Sequence, residues 1–174
     1  MAQRDLQRFE QIVLPYLDDA YTLARYLVRD EHDAEDVVQE AVLRALRYFG
    51  GYRDGDARAW LLAIVRNCCM TWHRRQRSRR ETIPFAEPAV ALVVDPVETD
   101  ARAIAQSDRE RVSQAVASLP IEFREVVVLR EVEGLSYKEI SGVTGVPIGT
   151  VMSRLARARK RLALALGQDI REVS

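Results

Sequence analysis
The chain has 174 residues, 48% of them apolar and 30% charged, enough to build one domain or two small ones around a real core. Lys plus Arg equals Asp plus Glu at 26 each, so net charge alone does not point to a polyanionic partner. The only cysteines are the neighbours Cys68 and Cys69, which argues against a disulfide framework and against secretion. No signal peptide and no apolar run approaching a membrane span is present, so a cytoplasmic protein without membrane insertion is expected. Gly and Pro are sparse and no alternating strand pattern occurs, so the expected fold is all-α.

Residues 5–29 read as a helix with Phe9, Val13, Tyr16, Ala20, Leu23, Ala24 and Leu27 on one face, kinked or broken at Pro15. Asp30 is placed to cap the next helix, about 32–49, which packs through Ala34, Val38, Ala41, Ala45 and Phe49. Six acids and no Lys or Arg fall between Asp30 and Glu40. Asp36, Gln39 and Glu40 share one face of that helix. An ordinary solvated face, a protein-docking face and paired carboxylates for acid–base or metal chemistry all fit that pattern, the last poorly, since only His32 accompanies them.

The stretch from Gly50 to Asp56 is turn chemistry, and a third helix runs from about Ala57 to Arg77. Trp60, Leu61, Ile64, Val65 and Cys68 form its apolar side, and five Arg without an acid lie between Arg74 and Arg80. Tyr52, Trp60 and Trp72 stand beside Arg58, Arg66, Arg74 and Arg75, a mixture that suits single-stranded DNA because bases stack on rings while Arg neutralises phosphate. Trp60 also reads as core, and Asn67 as a polar group near the apolar side. Cys68, Cys69 and His73 make three ligands without a fourth, a weak zinc pattern better read as packing, so no metal or cofactor is expected.

From Ser78 to about Asp100 the periodicity fails at Pro84, Pro88 and Pro96, though Phe85, Val90, Leu92, Val93 and Val94 keep the stretch apolar. It reads equally as a loop packed on a domain and as a tether lying in a partner's groove. Two further helices, about 101–118 and 120–133, lead into Ser136–Leu162. Ser136 and Glu139 form a capping box, Gly145 ends a short helix and Pro147 opens the next. Val151, Leu155, Ala158 and Leu162 make one apolar stripe, and Thr150, Ser153, Arg154, Arg157, Arg159, Lys160 and Arg161 cover the other faces. A capped helix, a glycine turn and a basic second helix suit a DNA-binding helix-turn-helix better than a basic helix lying on a membrane.

The strings DAEDVVQEA, RAWLLAIVRN and LPIEFREVVVLREVEGLSYKEISGVTGVPIGTVMSRLARAR resemble, in order and spacing, bacterial sigma factors of the extracytoplasmic-function type, over about residues 9–165. The resemblance implies two small helical domains, region 2 at 5–80 and region 4 at 101–170, joined by a linker at 81–100. A flexible tether of about twenty residues is expected to leave them no fixed separation. It implies that Asp36, Gln39, Glu40 and Leu46 face the clamp helices of the core polymerase beta-prime subunit, with the beta flap as a further contact. Tyr52, Arg58, Trp60, Arg66, Asn67, Arg74 and Arg75 would serve the −10 element, where a base is flipped, and Lys138, Thr150, Ser153, Arg154 and Arg157 the −35 element. Promoter DNA, core RNA polymerase and an anti-sigma factor are the implied partners, and no catalytic residue is implied. Gly142–Val143 departs from the alanine and leucine more frequent in the family, which loosens the first helix of the motif. A stand-alone helix-turn-helix regulator does not account for the acidic helix. A mimic that titrates an anti-sigma factor would lack the basic residues that this chain has.

Overall fold
Pro15 lacks an N–H and its ring crowds the preceding turn, so the first helical stretch cannot run through it. The computed structural model describes residues 3–53, 55–82 and 100–167, and the regular structure there is helical throughout. Helix α1 (Gln3–Val13) gives way to a tight turn at Leu14–Tyr16, and α2 (Leu17–Val28) follows. Asp30 then caps α3 (Glu31–Tyr48), its carboxylate accepting from the Asp33 N–H at 2.9 Å. Helix α4 spans Ala57–Thr82, five residues beyond the expected Arg77, because arginine is a good helix former even where no apolar partner remains.

The core of this first domain is a cluster of small and branched side chains. Val13, Ala20, Leu23, Leu27, Ala34, Ala41, Leu61 and Val65 are fully buried. Alanines at 34, 41 and 45 let α3 approach its neighbours closely, and the aromatic residues Phe9, Phe49, Tyr52 and Trp60 close one end. Truncating a buried leucine such as Leu61 to alanine costs about 2–5 kcal/mol.

The second domain contains α5 (Asp100–Ser118), α6 (Ile121–Val127), α7 (Tyr137–Thr144) and α8 (Ile148–Ala165). Pro120 precedes α6 rather than belonging to it, and the expected helix to 133 widens into one π turn over Val128–Val132. The Glu133 N–H reaches back to the Val128 carbonyl at 3.0 Å. Ser136 and Glu139 close both bonds of the capping box, Gly145 takes a left-handed φ of 74° and Pro147 stands as the residue before α8. The apolar stripe of α8 is buried at Val151, Leu155 and Ala158 and half-buried at Leu162.

The expected linker residues, from Pro84 and Phe85 to Val94 and Pro96, lie outside the described residues, as do Asp54 and residues 168–170. One expectation is corrected. The two domains do not stand apart: α4 packs on α7, and α2 packs on α6 and the π turn. The reason is a second stripe on α4. Arg58, Leu62, Arg66, Cys69 and His73 recur at spacings of three and four, and Leu62 and Cys69 are fully buried.

Candidate polymerase and nucleic-acid interfaces
Asp36, Gln39 and Glu40 are all exposed on α3, held there because Ala34, Val37 and Ala41 turn the opposite side inward. Glu40 accepts from Arg44 Nε at 2.7 Å, and this bond holds its carboxyl below the usual carboxylate range. A groove runs between this helix and α4, lined by Asp33, Asp36, Glu40, Cys68 and Trp72 among others. Leu46 is half-buried and borders a separate depression with Leu43 and Phe49. Leu43, 60% exposed, continues the line of Asp36 and Glu40 and was not singled out by sequence. Its signal was an apolar residue seven positions after Asp36 on an otherwise polar face. An acidic rim with one exposed apolar side chain suits docking to a basic protein surface better than catalysis. Among the described residues no three His, Cys, Asp or Glu side chains are grouped to hold a metal.

The residues assigned to the −10 element divide between two faces of α4. Trp60, Asn67 and Arg74 share the outward face, with Asn67 and Arg74 exposed. Tyr52 packs beside Trp60 with ring centroids 4.9 Å apart and donates its hydroxyl to the Gly55 carbonyl at 2.6 Å, which ties the loop to the helix. Trp60 is half-buried, so it is both a core element and an available ring edge. Arg75 is exposed and borders the groove beside Asp36 and Glu40.

Arg58 and Arg66 face the other way, toward the second domain. Arg58 donates through Nε to the Asp19 carboxylate and through Nη2 to the Glu133 carboxylate at 2.7 Å and the Glu133 carbonyl at 2.9 Å. Burial holds the Glu133 carboxyl above the usual carboxylate range despite this cation. Arg66 grips Glu125 with two bonds, of 2.7 and 3.2 Å, and Arg154 of α8 reaches the same carboxylate at 3.2 Å. Glu125 is 1% exposed, so one carboxylate joins α4 of the first domain, α6 and α8. Beside it Arg124 donates to the carbonyls of Leu27, Ala117 and Leu119 at 3.2, 2.7 and 2.8 Å. Its burial pushes the guanidinium down to about 10. The Leu27 carbonyl also accepts from His73 Nε2 at 2.8 Å, so that nitrogen carries the ring proton; burial holds His73 below its usual value. Burial raises both thiols, Cys69 to about 12, which fits packing and not redox or metal chemistry.

On α8, Thr150, Ser153, Arg154 and Arg157 lie on one face at helical spacing, turned away from the buried stripe. Ser153 and Arg157 are exposed, Thr150 and Arg154 half-buried. Lys138 is exposed in the first turn of α7. Exposed Ile148 and Met152 adjoin this face; they are apolar residues at i and i+4, a spacing legible in the sequence but not used there. A basic face beginning at the first turn of the second helix of a helix-turn-helix has the geometry of a major-groove reader.

Similarity to known proteins agrees with this division into two regions. Residues 12–79 match the pattern of Sigma-70 region 2, and residues 109–162 that of Sigma-70, region 4. The chain is 37% identical over 164 residues to the ECF RNA polymerase sigma factor SigE of Mycolicibacterium smegmatis, covering 92% of this chain and 62% of that one. It is 36% identical over 178 residues to the RNA polymerase sigma-H factor of Pseudomonas aeruginosa, covering 97% of this chain and 91% of that one. Among solved structures, the sigma factor RpoE of Bartonella quintana, determined in complex with the anti-sigma factor NepR, superposes with a TM-score of 0.77 at 27% identity over 94% of this chain and 99% of its own. CnrH in complex with the cytosolic domain of CnrY gives 0.67 at 27% identity over 92% and 89%. Both regions, in one order and along almost the whole length of a relative, place this chain in the family of extracytoplasmic-function sigma factors of bacterial RNA polymerase.

Proposed function
We propose that the chain is a dissociable promoter-recognition subunit of bacterial RNA polymerase, working in the cytoplasm and without catalysis of its own. The observation that carries this reading is the separation of two exposed surfaces of opposite sign, the acidic face of α3 and the basic face of α8. Asp36, Gln39 and Glu40, with Leu46 and Leu43 further along the helix, dock on the clamp helices of the beta-prime subunit. The beta flap contacts the second domain.

On the DNA, Thr150, Ser153, Arg154 and Arg157 read the −35 element in the major groove, and Lys138 neutralises a neighbouring phosphate. Tyr52, Trp60 and Asn67 receive an extruded base of the −10 element, while Arg58, Arg66, Arg74 and Arg75 hold the strand. Extruding a base costs a few kcal/mol, offset by stacking and hydrogen bonds in the pocket. An anti-sigma factor is the third partner, by analogy with the two superposed sigma factors. No helix among the described residues is long and apolar enough to cross a membrane.

The test is in vitro transcription of genomic DNA by core polymerase with and without the chain, followed by sequencing of the RNA 5′ ends. New start sites sharing two upstream elements at a constant spacing are expected. If core polymerase initiates identically with and without the chain, this reading is wrong.

A further inference from the structure
The second helix of the helix-turn-helix carries a large apolar side chain on its charged side. Helix α8 holds five cations, Arg154, Arg157, Arg159, Lys160 and Arg161, and no acid. Met152 stands 52% exposed among them, one turn into the helix, and Ile148 one turn earlier is 44% exposed. Neither belongs to the buried stripe, which runs through Val151, Leu155 and Ala158. A single exposed apolar residue is ordinary, so exposure alone assigns Met152 nothing. Its neighbours do. Gly149, Met152, Ser153 and Ala156 recur at spacings of three and four and form one outward arc, all of them exposed. Gly149, Ser153 and Ala156 are short, so the helix can approach closely whatever it faces, and Met152 projects furthest from that arc.

A helix with five cations and no acid selects a polyanion. An anionic membrane is a poor fit, because the apolar stripe that would enter it is already buried in the domain. Duplex DNA fits both properties of the arc. Its backbone supplies the negative charge, and its major groove offers one apolar group, the C5-methyl of thymine.

We propose that Met152 packs on the C5-methyl group of a thymine in the −35 element and so selects thymine at one position, beside the contacts made by Ser153 and Arg157. This rests on the reading of α8 as the helix that enters the major groove. The methyl leaves water against an apolar side chain, which favours thymine. The amino group of cytosine at the same place would exchange water for a thioether, a weak acceptor.

Deoxyuridine tests this one group, since it removes the methyl of thymine and keeps the hydrogen-bonding edges. Holoenzymes carrying wild type, Met152→Gln or Met152→Leu are titrated on a promoter mapped by sequencing of RNA 5′ ends. Each thymine of the −35 element, on either strand, is changed to deoxyuridine in turn, and affinity is read by competition with the unmodified duplex. Circular dichroism confirms that the variants are helical. For wild type and Met152→Leu, deoxyuridine at one position should weaken binding about fourfold, the effect of leaving one methyl group out of an apolar contact. Met152→Gln should bind the unmodified promoter about fourfold more weakly and lose nothing further at that position. A −35 element without thymine overturns the proposal. So do deoxyuridine effects that are the same for wild type and Met152→Gln at every position, the outcome expected if Met152 serves a protein surface instead. Initiation by the wild-type holoenzyme on the unmodified promoter reports on the sigma-factor reading by itself, so that reading can stand while the methyl contact fails.

Discussion

Helix α4 and helix α8 are both rich in arginine, yet they direct their cations differently. In α4, Arg58 and Arg66 are 28% and 20% exposed and each is bonded to a carboxylate of the other domain. Arg74 of the same helix lies exposed with Asn67 on the opposite face. In α8 one side is buried in its own domain, and Arg157 and Lys160 stand in solvent. Composition assigns both helices to nucleic acid. Position on the helix separates the arginines available in the closed chain from those that close it. The same contrast holds for acids, since Asp36 and Glu40 face solvent whereas Glu125 and Glu133 are buried. An exposed charge steers association and is screened by salt, whereas a buried pair fixes geometry and is costly to break.

The largest effect is expected where the joint has no counter-charge. Arg124→Ala removes the donors to the Leu27, Ala117 and Leu119 carbonyls in a buried setting. A loss of about 3 kcal/mol in urea unfolding is predicted: the Leu119 carbonyl loses its donor, at about 1–3 kcal/mol, and the truncated side chain leaves its packing behind, while the Leu27 carbonyl keeps His73 and the Ala117 carbonyl keeps Arg29. Stability unchanged from wild type would show that the Arg124 bonds do not support the fold. Asp36→Arg with Gln39→Ala acts on the exposed side of the contrast. It should leave the unfolding curve in place and weaken binding to core polymerase by about 2–3 kcal/mol, measured by competition for core. Equal affinity would remove the acidic face from the interface.

The smallest effect is expected at Glu133. Burial raises its carboxyl in the folded chain, so the folded state binds that proton more readily than the unfolded one. Its charged form is therefore a penalty at neutral pH, relieved as pH falls toward the raised value. Glu133→Gln should change stability at pH 7 by less than about 1 kcal/mol, because a buried ion pair is weak support for a fold. Between pH 7 and pH 5 wild type should gain on the variant, as read from paired urea curves. A wild type that loses ground over that interval would mean that the pair with Arg58 dominates burial.

Much of the fold was legible because it obeys local rules. Asp30, the Ser136–Glu139 box and Gly145 each satisfy helix ends within three or four residues of themselves, and Pro15 breaks a helix wherever it stands inside one. The stripe of α8 follows from periodicity alone, whereas on α3 Val37 is buried and the expected Val38 is half-buried beside it. The joint between domains was not legible. Leu62 and Cys69 continue the apolar side of α4, but only a second domain packed there turns them into an interface and gives Arg66 its partner. Glu125 sits in IEFREVVVLREVE as one more acid in an amphipathic helix, and its burial depends on tertiary packing. The exposed candidates, Asn67 among them, stand out in the residue pattern, but their roles came from family resemblance and rest on partners that come from outside the chain.

The most direct test of the account is permanganate footprinting of one mapped promoter with holoenzymes carrying wild type, Asn67→Ala or Arg157→Ala. Wild type should make thymines of the −10 element reactive. Arg157→Ala should lower occupancy of the promoter by about 1–3 kcal/mol through the upstream element. Asn67→Ala, on the outward face of α4, should leave upstream duplex protection intact and abolish thymine reactivity. An Asn67→Ala holoenzyme that opens the promoter as wild type does would contradict the assignment of that face to the melted strand.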